Sequence, residues 1–194
     1  MIMIRRVLIA VLVVLLLAGA FLLMDFRVAQ SNTQANTTFG SGTNNAGAPP
    51  QPMPVYVWIE EKDSLSTGLR DALVEELVAS GRFNPQVLPA APKPTAGDVP
   101  LLRVWVERPG LSWTPFYAQA DMLVRFGFST YTTEISFEDD EPITTPASPW
   151  ALYGEGNVNL VDRSFGLISL RGYWSHLGQQ AAGKIVAELV RVMP

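Results

Sequence analysis

The sequence predicts an α+β domain, a two-layer sandwich in which a mixed four-stranded sheet carries two helices on one face, preceded by one transmembrane helix. Three observations indicate this fold. An uncharged run of 18 residues covers 7–24. Beyond residue 55, strand-like runs alternate with two amphipathic helical segments. The resulting order, β-α-β-β-β-α, favours a parallel pair of strands around the first helix and a two-layer packing.

The start of the chain predicts a membrane anchor. As a helix, 7–24 would be about 27 Å long, close to the thickness of a bilayer core. Arg5 and Arg6 precede the run, which favours a cytoplasmic tip over 1–6 and a single-pass signal anchor in the cell membrane, with everything after it extracytoplasmic. A cleavable signal peptide is the alternative, because Ala18-Gly19-Ala20 has the small-residue pattern, but the apolar residues that follow favour an uncleaved anchor.

Two further segments complete the predicted organisation. Residues 25–54 are rich in Ser, Asn, Thr, Gly and Pro and show no periodic apolar face, which is typical of a flexible linker. Residues 55–194 then form an extracytoplasmic α/β domain. At that length a domain can bury about two-thirds of its surface and fold without disulfide cross-links.

The first half of this domain predicts a strand, a helix and a second strand. Residues 55–59 are apolar and β-rich. Ser64 is the expected N-cap of a helix whose apolar face includes Leu69 and Leu73, and Gly81 is the expected left-handed stop. Prolines mark 84–100 as a loop, after which 101–106 form the second strand.

The second half predicts two more strands and a long helix. Residues 117–128 alternate between apolar and polar side chains, as an antiparallel strand with one wet face does. The fourth strand covers about 150–160, and its two glycines, Gly154 and Gly156, leave room for a bulky neighbour or a bulge. A turn follows at 162–166, and the helix covers about 171–192.

Residues 69–83 read Leu-Arg-Asp-Ala-Leu-Val-Glu-Glu-Leu-Val-Ala-Ser-Gly-Arg-Phe. A strand followed by a helix that ends in Ser-Gly-Arg-Phe resembles the N-terminal domain of TolB and related bacterial envelope lipoproteins. Gly-Leu-Ile-Ser at 166–169, before a long C-terminal helix, is similar to LptE-like auxiliary lipoproteins. The resemblance implies a binding or assembly role without catalysis, and no site residues carry over. The chain differs from those lipoproteins in having a hydrophobic run where they carry an acylated cysteine.

Composition excludes several kinds of chemistry. The chain has no cysteine, so disulfides, thiolate nucleophiles and cysteine-based metal sites are ruled out. Its 14 basic and 18 acidic residues give a net charge of −4, and no basic face stands out, so we expect no binding of nucleic acid. No cofactor motif is present, and none is expected.

Catalytic and metal-binding groups are few. His176 is the single histidine, and Asp162 lies upstream of it. Ser175 is adjacent, but neighbouring residues of a helix point about 100° apart and do not share a hydrogen bond easily. The acidic run 138–141 lacks the alternating oxygen ligands and the glycine turn of a calcium loop. We therefore predict no catalytic residues and no metal ligands.

Aromatic residues in a proline-containing loop give the leading site hypothesis. Trp113, Phe116 and Tyr117 surround Pro115, and such a segment can form a partner-binding surface. Tyr173 and Trp174 form a similar pair. In the alternative interpretation, these rings fold back over the edge of the core.

Taken with the resemblance, these features predict a membrane-anchored, non-catalytic binding or assembly domain of the bacterial cell envelope. Its expected partners are an envelope protein or cell-wall component, together with the lipid bilayer through 7–24. The alternative is an exported hydrolase or lipid-acting enzyme with no recognisable motif, although its titratable groups would have to converge in a cleft. A structural spacer is a third possibility.

Overall fold

A computed structural model describes residues 26–41, 52–60, 63–90, 100–130 and 152–193, together with separate positions between 6 and 19. Six strands and two helices lie in the continuous ranges. The strands are β1 (Phe26–Ser41), β2 (Met53–Ile59), β3 (Phe83–Val87), β4 (Leu101–Trp113), β5 (Tyr117–Ser129) and β6 (Leu152–Leu167), and the helices are α1 (Ser64–Ala79) and α2 (Leu170–Val192).

The strands form one mixed sheet in the order β1-β6-β5-β4-β2-β3. Strand β2 pairs in parallel with β3 and with β4, whereas the other neighbours are antiparallel. The prediction of a four-stranded sheet is therefore wrong, because each edge carries one more strand. The edge strand β3 lies where prolines predicted a loop.

The other edge strand, β1, occupies most of the segment predicted as a flexible linker. It pairs with β6 over its whole length, from Phe26 opposite Leu167 to Ser41 opposite Leu152, with no register shift. The described part of 25–54 is thus ordered in the sheet, and the linker interpretation is wrong for 26–41. A polar strand escaped notice because its ladder hydrogen bonds come from the backbone and require no apolar side chains.

The core lies between the two helices and one face of the sheet. Helix α1 buries Leu69, Leu73 and Leu77, and α2 buries Leu177 and Ile185, all with at most 1% exposure. The alternating apolar side chains of β5 form the sheet side of this core, as the sequence predicted. No described element covers the opposite face of the sheet, which we call the open face.

The ends of α1 show how local chemistry sets an element. Its N-cap is Asp63 rather than the predicted Ser64: the Asp63 carboxylate accepts a hydrogen bond from the Ser66 amide at 2.8 Å, and the Ser66 hydroxyl accepts one from the Asp63 amide at 3.1 Å. Gly81 follows the helix with φ of +67°, which confirms the predicted left-handed stop.

Two glycines of β6 accept large rings, as predicted. A side chain at Gly154 would collide with Phe39 of β1, and a Cβ at Gly156 would lie 2.7 Å from Phe126 of β5. The predicted turn at 162–166 is wrong, because β6 continues to Leu167.

The predicted transmembrane helix is contradicted. Among the described residues, no helix has both the length and the apolar character needed to cross a bilayer. Helix α1 has 16 residues, and α2 carries four charged residues along its 23 positions, Arg171, Lys184, Glu188 and Arg191. Much of 7–24 lies outside the described residues. The predicted single-pass topology and cell-membrane location rested on that helix and are corrected with it.

Candidate functional site

A carboxylate is buried where β1, β6 and α2 meet. The side chain of Asp162 on β6 has no exposed surface. Ser164 donates a hydrogen bond to its Oδ2 atom at 2.9 Å, and Ser31 of β1 donates to Oδ1. His176 Nε2 of α2 lies 3.1 Å from the same Oδ1 atom. Three separate elements therefore converge on one negative charge.

These donors decide the ionisation of Asp162. Burial is the largest single influence and raises its pKa. The surrounding donors, led by His176 and Ser31, act in the opposite direction and together outweigh burial, so that the pKa falls from 3.8 to about 2. Asp162 is consequently a buried anion at neutral pH.

Tyr173 lies beside this carboxylate and is itself fully buried. Its ring stacks on the imidazole of His176, with centroids 6.4 Å apart. The Tyr173 hydroxyl has no hydrogen-bond partner in the part of the chain that the structure describes. Burial, assisted by the Asp162 charge, raises the pKa of this hydroxyl far above its ordinary value. It stays neutral and offers no proton at physiological pH.

Ser31, His176 and Asp162 meet, but they do not form a catalytic relay. In a relay, one imidazole nitrogen holds the carboxylate and the other receives the serine proton. Here Nε2 lies 3.1 Å from Asp162 Oδ1 and 3.1 Å from Ser31 Oγ, so both partners share one nitrogen. The Ser31 hydroxyl donates its hydrogen bond to the carboxylate and not to the imidazole. The arrangement stabilises a buried charge and does not activate a nucleophile.

A second feature is an exposed apolar surface at one end of the open face. The register places Val28 opposite Phe165 and Phe165 opposite Tyr117, and the Tyr117 and Phe165 rings lie 5.1 Å apart. The carbonyl of Phe116 accepts a hydrogen bond from the Gly166 amide at 3.1 Å, which brings this turn beside β6. We call Phe26, Val28, Phe116, Tyr117 and Phe165 the aromatic patch.

The structure divides the five side chains of the site hypothesis. Phe116 is exposed and Tyr117 half-buried, and both lie in the aromatic patch. Trp113 is partly buried against the core, and its ring nitrogen donates to the carbonyl of Ile168 at 3.2 Å. Tyr173 is buried, and Trp174 packs against the core. The alternative interpretation, in which the rings fold over the edge of the core, therefore describes Trp113, Tyr173 and Trp174.

Substitution at Trp113 and at Phe116 should have different costs. We expect Trp113→Ala to lower the free energy of unfolding by about 2–3 kcal/mol, because it removes packing and a hydrogen bond. Phe116→Ala should cost less than about 0.5 kcal/mol, since its ring is exposed. Urea unfolding of the two variants measures both values. If both substitutions lowered the free energy of unfolding equally, Trp113 would not be part of the core packing while Phe116 is exposed.

The remaining polar and acidic groups give weaker indications of a functional site. A hollow of about 510 Å³ near the edge of the sheet has a mainly polar lining that includes Asn36, Thr38, Arg125, Glu155 and Asn157. In the described ranges, no three acidic or histidine side chains are grouped so that they could hold a metal ion. The acidic run 138–141 lies outside the described residues.

Sequence reasoning missed Ser31 of the buried cluster and Phe26 and Val28 of the patch, because 25–54 was interpreted as a linker. One signal was available. Between residues 30 and 37, amides at even positions alternate with small or hydroxyl side chains at odd positions. That period of two is typical of a strand with two different faces.

Comparison with known proteins identifies no family. No protein-family model matches the chain, and no curated protein matches it. Two solved structures, both of the PelC dodecamer from Paraburkholderia phytofirmans, give TM-scores of 0.36 and 0.35 at 13% identity. Each alignment covers 79% of this chain and 97% of that chain. Similarity at this level supports no statement about the function or assembly of the present protein.

Proposed function

We propose that this protein is a non-catalytic binding module that contacts its partner through the aromatic patch. The observation that carries the proposal is the exposure of its apolar side chains. Phe26, Val28, Phe116 and Phe165 are 66%, 71%, 69% and 49% exposed. A partner that covers these side chains removes their apolar surface from water. The free energy gained in this way is the dominant favourable term in most protein association.

The surroundings of the patch also favour a binding role. The next row of the open face consists of Gln30, Arg163 and Gln119, which face one another across β1, β6 and β5. An apolar centre with a polar border is the usual composition of a protein interface. The border can add hydrogen bonds that fix the orientation of a partner without contributing most of the affinity.

The resemblance to bacterial envelope lipoproteins suggests which partner to test. We infer a protein or cell-wall component of the bacterial envelope. The aromatic rings suit either, because they pack against apolar protein side chains and also stack on the flat faces of sugars.

The convergence of Ser31, His176 and Asp162 is the specific observation in favour of the alternative, an exported hydrolase or lipid-acting enzyme. Its geometry argues against activation of Ser31, because one imidazole nitrogen serves both partners. Labelling of Ser31 by a fluorophosphonate probe would favour the hydrolase. Absence of labelling agrees with the binding module.

A matched pair of valines tests the patch. Val28 lies in it, whereas Val78 on α1 is 58% exposed and does not belong to it. We expect Val28→Ser combined with Phe116→Ser to weaken binding to isolated envelope fractions at least about tenfold, since truncated hot spots typically cost about 2 kcal/mol each. Val78→Ser should leave binding unchanged. Co-sedimentation with cell-wall material and photo-crosslinking from position 116 measure the two partner classes separately.

The melting temperature of each variant has to be recorded beside its binding. The proposal requires that binding falls while the melting temperature stays within a few degrees of the parent. If the patch variant and Val78→Ser bind as well as the parent chain, the aromatic patch is not the binding surface.

A further inference from the structure

The two edges of the sheet differ in how far they are protected against another strand. Strand β3 has five residues and contains Pro85, which cannot donate to a ladder. Strand β1 has 16 residues, contains no proline and keeps an unbroken register with β6. No described strand pairs with its outer edge. Natural sheets usually blunt such an edge with charge, proline or a bulge.

The side chains of β1 are also free of charge over most of its length. Between Val28 and Ser41 there is no acidic or basic residue. On the open face the strand presents Gln30, Asn32, Gln34 and Asn36 in succession. Each carboxamide has both donor and acceptor atoms, so the same group can satisfy its own copy. An edge of this chemistry is complementary to itself.

We propose that β1 pairs antiparallel with β1 of a second copy of this chain, and that the twofold axis passes through Gln34. A twofold axis normal to the sheet keeps both open faces on one side and makes one residue face its own copy. Overlap of the uncharged residues 28–40 with the same residues of the second copy places Gln34 on that axis. Asn32 then faces Asn36 of the second copy, and Gln30 faces Thr38.

This register suits the rest of the strand. Arg27, the charged residue of β1, falls at opposite ends of the pair in the two copies, so the two like charges do not meet. The overlap of 13 residues is about 44 Å long at about 3.4 Å per residue. The inference does not rest on the function proposed for the aromatic patch, because edge pairing uses the backbone of β1 and leaves the open face uncovered.

The absence of native cysteine makes the register measurable. Opposed residues of an antiparallel pair have Cβ atoms about 4.5–5.5 Å apart, within reach of a disulfide after small shifts. We expect oxidation of the full-length Gln34→Cys chain to give a covalent dimer as its main product. Asn32→Cys alone and Asn36→Cys alone should give no covalent dimer, since each thiol lies about 14 Å along the strand from its copy. A mixture of these two chains should form the covalent heterodimer.

Gln86→Cys on β3 is the matched control, because Gln86 is exposed on the opposite edge. It should give little dimer. No dimer from Gln34→Cys, or equal yields from positions 34, 32, 36 and 86, would overturn the proposal, since equal yields indicate association through other parts of the chain.

A charge at the axis provides a second measurement without oxidation. Gln34→Lys places two ammonium groups opposite each other, and we expect the dimer seen by sedimentation velocity to decrease at least tenfold. Gln86→Lys adds the same charge at the other edge and should leave the dimer intact. A dimer that persists in Gln34→Lys would also overturn the proposal.

Discussion

We expect Asp162→Ala to lower the free energy of unfolding by about 3–5 kcal/mol, the range typical of a buried charged pair that loses one partner. The substitution leaves the hydroxyls of Ser31 and Ser164 and the imidazole of His176 without the acceptor they share. It also leaves a cavity between β1, β6 and α2. Thermal unfolding of the purified chain measures the loss, which should lower the melting temperature by roughly 10 °C.

The carboxylate of Asp162 should also make the stability of the protein depend on pH. Because the pKa of Asp162 is lowered from 3.8 to about 2 in the folded protein, the folded state favours the ionised form. Its contribution, about 2 kcal/mol for this shift, is present above pH 4 and is lost as the pH falls through about 2. The parent chain should therefore lose stability between pH 4 and pH 2, and Asp162→Ala should lose less over that interval.

Glu155→Ala is the matched control, because Glu155 is an exposed carboxylate on the same strand. The Glu155→Ala chain should melt at the same temperature as the parent. If Asp162→Ala and Glu155→Ala melt at the same temperature, the buried cluster does not stabilise the fold in the way that its hydrogen bonds indicate.

The sequence predicted correctly the elements that bury a regular pattern of apolar side chains. The alternation of β5 and the apolar stripe of α1 follow directly from burial on one face, so β5 and α1 lie where they were predicted. Strand β4 also begins where expected and pairs in parallel with β2. Each of these elements buries apolar side chains in the common core.

The two edge strands carry no comparable signal. Strand β1 packs only part of one face on the core and is mostly polar beyond Val28, and β3 buries Phe83 alone. Their pairing comes from backbone groups, which every sequence possesses. Composition therefore indicated a linker and a loop, and the sheet was predicted with two strands too few.

The candidate site could be predicted from the sequence even less well than the edge strands. Trp113 is the last residue of β4 and Phe116 lies three positions later in the turn before β5, yet one ring packs against the core and the other faces solvent. Which ring turns inward depends on the approach of β6, which local sequence does not specify. His176 and Asp162 were noticed as a pair, but Ser31 joins them through the long-range pairing of β1 with β6.

The second large effect concerns the removal of β1. We expect a chain that lacks residues 1–41 to lose cooperative folding at 25 °C. Ser31 can no longer donate to Asp162, and the hydrogen bonds of Thr37 with Glu188 and Arg191 of α2 disappear. Phe39 and Ala35 leave the core, and the edge of β6 loses its ladder partner. These losses together exceed about 5 kcal/mol, comparable with the whole stability of a small domain.

This expectation is the reverse of what a flexible linker over 25–54 implies, since a linker could be removed without cost to the domain. Deletion of residues 1–25 is the control, because it leaves β1 in place and should keep a cooperative melt. Circular dichroism during heating distinguishes the two truncations. If the chain that begins at residue 42 melts as cooperatively and at the same temperature as the chain that begins at residue 26, then β1 is not an integral strand of the fold, and the burial of Asp162 beneath it does not hold the domain together.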